Sequence, residues 1–558
     1  MTKNSGLYLL ILLVLAVSCT PSQKEQKTAV ENLKTDVGIL ASDSLLGREA
    51  GTEGAAKARK YIVSRLKAMG LKPYFGDSYT KAFAFKDGAD FSGSSLTVKD
   101  KDFKVGKDFR PLNKSKNGSV TANAVFAGYG IMSSNPSHND YTDHSKFDGK
   151  VFIMEMSVPG GYSEWDKYAE QADLDKRLEL AVKFGAQAVI FINSDSTFDD
   201  PRKMISNAVG RTPVPVVIAG DSLRDFLLKN PGADISLDVQ MKKFDKTGYN
   251  IAAVIDKVAS DNIIIGAHYD HLGMGGETSR YHGPPAIHNG ADDNASGVAA
   301  MLELTEMLKD KPLKHNIIIM SFSGEEKGLL GSSALIKQGV IDPSKTLCML
   351  NFDMVGRMDS AHDLTVFGTG TALEWDSLMN LIHDSTLNIK PAPSGIGGSD
   401  QMSFYLDSIP VLFFFTGFHD DYHTPSDDAD RINYRGIDQV AGYAYQIVDI
   451  LNNTGKLSYH TTKARTSGNH DYRKGPTLGI VPDYAGNDGK GMMIQAVLDG
   501  RPAAKAGLQK GDILIKLGDT DIKDIYDYMD ALKKCSKGKS YPVEIMRKGE
   551  KLSKTVQF

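Results

Sequence analysis

Apolar residues fall at helical spacing in "EGAAKARKYIVSRLKAMGLKP", where Ala55, Ala58, Tyr61, Ile62, Leu66 and Met69 share a face and Gly70 supplies the stop. From Asp87 to Phe244 the pattern changes to short β-type runs, "ANAVFAGYGI", "KVFIMEMSV", "AQAVIFI" and "VPVVIA", with one helical stretch, "DKRLELAVKFGA", among them. The earlier pattern resumes at "YNIAAVI" and "NIIIGAHYDH", so the intervening block reads as a domain inserted into another. From Ile263 to Leu451 strands alternate with helices: "ASGVAAMLELTEMLKD", "HNIIIMSFS", "LCMLNFDMV", "LTVFG", "IPVLFFF" and "YAYQIVDILNN". Continuous apolar strands between amphipathic helices predict an α/β fold with a mixed, mostly parallel sheet flanked by helices. Ligands of such sheets bind beyond the C-terminal ends of the strands.

Polar residues with metal-binding chemistry stand at those ends. His268 follows "IIIGA", Glu325 and Glu326 follow "IIIMSFSG", and Asp353 closes "CMLNFD". Asp292 and Asp293 lie in the glycine-flanked turn "NGADDNASG", and His423 lies in "HDDYHTPSDDAD" after "VLFFFTG". Taken singly these read as a helix N-cap, a solvated acidic pair and a loop histidine. Gathered at one sheet edge, the like charges repel unless a cation compensates them. Two imidazoles and three carboxylates without a thiolate suit two zinc ions roughly 3.5 to 4 Å apart that share one carboxylate.

In that order, "HYDHLG", "NGADDNASG", "SFSGEEKGLLGS", "NFDMVGR" and "DYHTPSD" resemble the co-catalytic zinc aminopeptidases, metallopeptidase family twenty-eight of clan MH. The resemblance covers the first helix and the segment from about Tyr249 to Asn452, and implies a zinc exopeptidase fold. It implies that His268 and Asp353 hold one zinc, Glu326 and His423 the other, and that Asp293 bridges both. It further implies Asp270 as the partner that orients His268, Glu325 as general base on a zinc-bridging water, and Tyr422 as a residue that polarises the scissile carbonyl. His271 is not expected to be a ligand. "SGIGGSDQMSFYLDSIP" resembles the loop bordering the family's substrate pocket, with Asp400 and Phe404 as candidates.

The inserted block, through "VFAGYGI", "YTDHSKFDGKVFIME", "AVKFGAQAVIFIN" and "PVPVVIAGDSL", resembles a β-rich protease-associated (PA) domain. A lid, a substrate-selecting wall and a stabilising ornament remain open as its role. After a polar linker, "PTLGIVPDY", "GMMIQAVLDGRPAAKAGLQKGDILIKLGDTDI", "IYDYMDALKKC" and "YPVEIMRKGE" resemble an α+β PDZ domain. There the backbone of Leu478, Gly479 and Ile480 would receive a peptide C-terminus. The expected organisation is a signal peptide over 1–19, a peptidase domain over 28–86 and 245–455, the PA-like insert over 87–244, a linker over 456–473 and the PDZ-like domain over 474–558.

Length and composition agree with several domains: 558 residues exceed one ordinary core. A net charge of −4 with both signs interspersed offers no strip for nucleic acid. The apolar run "LYLLILLVLAV" after Lys3 has the length of a signal-peptide core, and "LAVSC" resembles a bacterial lipobox, with Ala16 where leucine is usual. Cys19 would then carry the lipid anchor, in the cell envelope and facing the periplasm or the exterior from the outer membrane. The other two cysteines, Cys348 and Cys535, are too few and too distant in sequence for a disulfide framework or a thiolate-rich zinc site.

The function expected is removal of N-terminal residues from peptides or proteins by a di-zinc aminopeptidase. A carboxypeptidase, a dipeptidase, a glutaminyl cyclase or an inactive, membrane-tethered peptide-binding protein stand as alternatives.

Overall fold

The computed structural model describes residues 23–558 apart from 162–163, 169–170, 172, 196–211, 277, 282–285, 383, 463–475, 483–489, 499 and 524. The leader and Cys19 lie outside the described residues.

Four contiguous strands, Asn316–Phe322, Asn262–His268, Thr346–Phe352 and Val411–Phe415, run parallel at the centre of a nine-stranded sheet. Lys242–Ile255 joins one side antiparallel, and Asp363–Phe367 joins the other antiparallel. Parallelism is thus confined to the centre and to one outer pair, so the sheet is more mixed than expected. Because successive side chains alternate between faces, a strand buried on both faces must be apolar throughout. Ile263 and Ile265 pack with Leu33, Val37, Ala58 and Ile62 on one face, while Ile264, Ile318 and Met349 meet Leu335 and Phe404 on the other. The helix Glu53–Ala68 is capped by Thr52, whose side chain accepts the Ala55 N–H, and buries Ala55, Ala58, Ile62 and Leu66.

The chain leaves and re-enters this sheet along a long antiparallel ribbon, Thr80–Asp90 against Lys242–Ile255. Between them stands a separate eight-stranded sheet whose central strands Val151–Glu155, Ala188–Ile192 and Val216–Ala219 are parallel and wholly buried. Apolar clusters cover both of its faces. Two helices of eight or more residues are described here, where one was expected: Leu174–Lys183 and Asp221–Lys229. The second is short, burying Leu223 and Leu227 with Phe226 partly buried beside them, and it follows the preceding strand almost directly.

At the C-terminus six short strands and the helix Ile525–Lys533 enclose a third core around Leu478, Ile494, Leu514 and Val543. Residues 456–462, expected in a linker, instead pack on the large sheet's domain. Leu457 is buried, the Tyr459 hydroxyl donates to the Tyr405 carbonyl at 3.0 Å, and the Thr462 N–H donates to the Tyr405 hydroxyl at 2.8 Å. Spaced apolar anchors had been outweighed by the polar residues around them.

Glu303, on the helix Gly297–Leu308, is only 8% exposed. Burial, then Asp438, Glu306 and Asp36, push its carboxyl up from 4.5 to about 7, against Arg65. A carboxyl raised in the folded state stabilises fully below its unfolded value, and that contribution is lost as pH rises toward the folded value. Glu303→Gln is therefore expected to add on the order of 1–3 kcal/mol of stability at pH 8 and less at pH 5, read by chemical unfolding. An equal gain at both pH values would refute a protonated buried carboxyl.

Candidate metal centre

Each strand of the parallel centre ends in, or leads into, one part of the site. His268 is the last residue of its strand, Asp353 follows Phe352 directly, and Glu325 and Glu326 follow Phe322 by a two-residue turn. Asp293 comes from the irregular turn Ala291–Ser296, and His423 from the loop after Val411–Phe415. Two triads result. His268 Nε2 lies 3.4 Å from Asp293 Oδ1 and 3.3 Å from Asp353 Oδ1. His423 Nε2 lies 3.2 Å from Asp293 Oδ2 and 3.3 Å from Glu326 Oε2. Asp293 thus offers one oxygen to each triad.

These separations match a cation better than a hydrogen-bond network. Ligands 2.0–2.1 Å from a tetrahedral zinc stand about 3.3 Å apart along each edge, longer than a charge-assisted hydrogen bond. His268 Nε2 and Asp353 Oδ1 are buried and have no hydrogen-bond partner, which is costly unless a third party engages both. Burial alone would push the His423 imidazole down, yet Glu326 and Asp293 raise it to about 11. The same contest raises His268 well above its usual range, through Asp353, Glu325 and Asp293. The acids impose a demand for positive charge that bound zinc would meet.

The other ring nitrogens are fixed. His423 Nδ1 lies 2.8 Å from the Thr278 carbonyl, and His268 Nδ1 lies 3.1 Å from the Asp270 carbonyl. Each Nδ1 donating to a carbonyl leaves Nε2 bare toward its triad. The Asp270 carboxylate was expected to orient His268, but its Oδ1 is 3.9 Å from that ring and accepts the Glu325 N–H at 3.2 Å instead. Orientation of His268 therefore passes through the main chain, and the Asp270 side chain holds the turn that carries Glu325. Glu325 itself stands beside the ligands, with Oε2 4.0 Å from His268 Nε2. Its carboxyl is raised well above the usual range by burial, against His268 and with Glu326, Asp353 and Asp400.

Tyr422 stacks on His423 with ring centroids 3.8 Å apart. Burial and then Asp293 hold its phenol far above the usual range, so it stays protonated and can donate. Asp400 and Phe404, expected at the pocket wall, are both fully buried, and Phe404 packs beneath the sheet on Phe322. They support the site from behind because the short helix Gln401–Tyr405 turns inward. In the C-terminal domain the strand Ile480–Pro482 ends its sheet, pairing only with Met492–Val497 among the described residues. The Leu478 and Gly479 carbonyls accept from Ala503 and Leu498, and Gly479 has φ +72.

Several supports escape sequence reading. The Asp427 carboxylate accepts the N–H groups of Asp292 and Asp293 at 3.0–3.1 Å and so holds the metal turn. The Asn294 amide donates to the Phe352 carbonyl at 2.9 Å, tying that turn to the strand that delivers Asp353. Asp292 faces away from both triads, accepting from Gly356 N–H at 2.6 Å and Ser296 Oγ at 2.9 Å. Arg48, buried at 1% exposure, donates to the Tyr269 and Gly290 carbonyls at 2.9 Å each. A lone arginine in "LLGREAG" carries no local signal for this, since every acceptor but Leu40 is more than two hundred residues away.

Residues 250–448 match the model of peptidase family M28, and residues 469–558 match that of the PDZ domain. Among relatives, it is 25% identical over 443 residues to aminopeptidase YwaD of Bacillus subtilis, covering 76% of this chain and 85% of that protein. It is 27% identical over 260 residues to an aminopeptidase of Pseudomonas aeruginosa, covering 45% of this chain. The match spans 43% of that relative's length. A solved structure of BSAP, a zinc aminopeptidase from Bacillus subtilis, matches with 22% identity, 77% coverage of this chain, 95% of that one and a TM-score of 0.48.

Because Asp293 serves both triads, Asp293→Ala is expected to lower zinc below two equivalents per chain, measured by elemental analysis after dialysis. Two zinc ions retained would refute a shared carboxylate.

Proposed function

We propose that the protein is a di-zinc aminopeptidase that releases N-terminal residues from peptides or proteins outside the cytoplasm. The observation that carries this reading is the pair of triads joined through Asp293, with Glu325 beside them and outside both. Bound there by His268, Asp353, Asp293, Glu326 and His423, two zinc ions supply Lewis acidity to a water and to the scissile carbonyl. Glu325 accepts the proton of that attacking water and delivers it to the leaving amine nitrogen. Desolvation raises its basicity for this exchange. The Tyr422 phenol, kept protonated, is available to donate to the carbonyl oxygen as charge develops on it.

The remaining parts are assigned on sequence grounds. Residues 87–244 would form a PA-like domain that serves as a lid, a substrate-selecting wall or a stabilising ornament. The C-terminal domain would receive a peptide terminus at Leu478, Gly479 and Ile480, a reading supported by the strand Ile480–Pro482, which pairs on one side only among the described residues. Cys19 would anchor the chain by lipid to the envelope, probing peptides in the periplasm or at the surface. Among the described residues no helix is long and apolar enough to cross a membrane.

The test is hydrolysis of matched peptides, one with a free N-terminus and one acetylated, by the chain from residue 20 onward. Selective cleavage of the free peptide is expected. Glu325→Gln should keep both zinc ions and lose at least about a hundredfold in turnover. Undiminished turnover in that variant would remove Glu325 as the base. Inactivity on both peptides with zinc bound would favour a cyclase, a dipeptidase, a C-terminal specificity or a peptide-binding role.

A further inference from the structure

His271 stands three residues beyond His268 and was set aside by the sequence, yet it is 1% exposed and lies against the second triad. Its Nδ1 is 2.7 Å from Glu326 Oε1 and 4.0 Å from Asp293 Oδ1. The other oxygen of the same carboxylate, Oε2, is the one 3.3 Å from His423 Nε2. The two contacts differ in kind. The four separations within the triads, 3.2–3.4 Å, suit edges of a metal polyhedron, whereas 2.7 Å is a hydrogen bond to a carboxylate. Glu326 is therefore divided, with Oε1 held by an imidazole and Oε2 presented toward His423 and Asp293.

The ring that makes this contact is itself held. A Cβ at Gly290 would fall 2.5 Å from His271 Cδ2, so the ring packs directly on the main chain of the metal turn. Gly290 has φ +57, and its carbonyl is gripped by Arg48. The His271 N–H points to the Arg48 carbonyl at 3.4 Å, and its ring meets His423 edge-on at 5.7 Å. The ring is thus fixed by packing, with Nδ1 directed at Glu326 and Nε2 buried without a hydrogen-bond partner.

We infer that His271 is a positioning residue: its Nδ1–H holds Glu326 Oε1 so that Glu326 offers a single oxygen, Oε2, to the second zinc. This inference rests on the dinuclear reading proposed above. His271 orients a ligand without being one, and its loss would weaken one metal position and spare the other.

The experiment is stepwise zinc titration of the metal-free full chain against a chromophoric competing chelator. In His271→Ala one of the two binding steps is expected to weaken about 10–100-fold, the other changing by less than about 3-fold. In His271→Asn the amide nitrogen replaces Nδ1 as donor but is a poor zinc ligand, so the weakened step should return to near the wild-type value. His271→Asn as weak as His271→Ala would make the imidazole a direct ligand and overturn the proposal. Two unchanged steps in His271→Ala, or both steps lost with the melting transition, would also overturn it. Wild-type chain that takes up fewer than two zinc ions would instead overturn the dinuclear reading, and the proposal with it.

Discussion

A buried guanidinium holds together the loops on which the site depends. Arg48 donates to the carbonyls of Leu40, Tyr269, Asn289 and Gly290, and so joins the end of the helix Gln23–Leu40 to the two segments that carry His268, His271 and Asp293. Removing such a charge from water is costly, and burial lowers its pKa to about 10 even with Asp293, Asp270, Asp427 and Glu326 nearby. Four carbonyl acceptors and four acids are what make a cation tolerable in that position. The acids in turn are tolerable together in part because Arg48 lies near Asp293, Asp270, Asp427 and Glu326. Neither the carboxylate cluster nor the guanidinium would be stable at this depth without the other.

The motifs of the site were legible because a parallel sheet delivers its chemistry at strand ends, where an apolar run stops and a His, Asp or Glu begins. That rule places His268, Glu325, Glu326 and Asp353 from the sequence, and the structure brings them together with Asp293 and His423. What was not legible depends on contacts distant in sequence. Arg48, Asp427 and Asn294 act on main-chain groups, and an arginine, an aspartate and an asparagine in loops look like any others. The misjudged residues share another cause: Asp400 and Phe404 lie in the expected loop, but the direction of a short helix decides whether a side chain lines a pocket or supports it. A mixed sheet was legible, but which strands run antiparallel was not, because a buried strand is apolar whichever way its neighbours run.

The added domains touch the centre through residues adjacent to its own motifs. Lys327, next to Glu326, reaches Glu49 at 2.9 Å and Asp87 at 3.1 Å, and Asp87 lies on the ribbon that leads into the insert. Lys246, on the returning strand, meets the same Asp87 at 2.7 Å. On the other side Val481 of the C-terminal domain packs with Leu329 and Met402, and the Leu329 N–H donates to the Glu325 carbonyl at 2.9 Å. The turn that carries Glu325 and Glu326 is thus braced from both sides by parts of the chain that lie outside the parallel sheet.

Glu325 and Glu326 show how far surroundings separate identical neighbours. Both side chains are largely but not fully withdrawn from solvent, and desolvation raises both carboxyls. Glu326 faces His423 and accepts from His271, and these two imidazoles outweigh burial and hold it well below the usual range. Glu325 has His268 at 4.0 Å, too far to pair closely, while Glu326, Asp353 and Asp400 add to the effect of burial and hold it well above. A permanently ionised carboxylate suits a metal ligand, and one that binds a proton readily suits a base. One residue of offset along the turn turns the two side chains toward different partners, and under the proposed function that difference would divide metal binding from proton transfer.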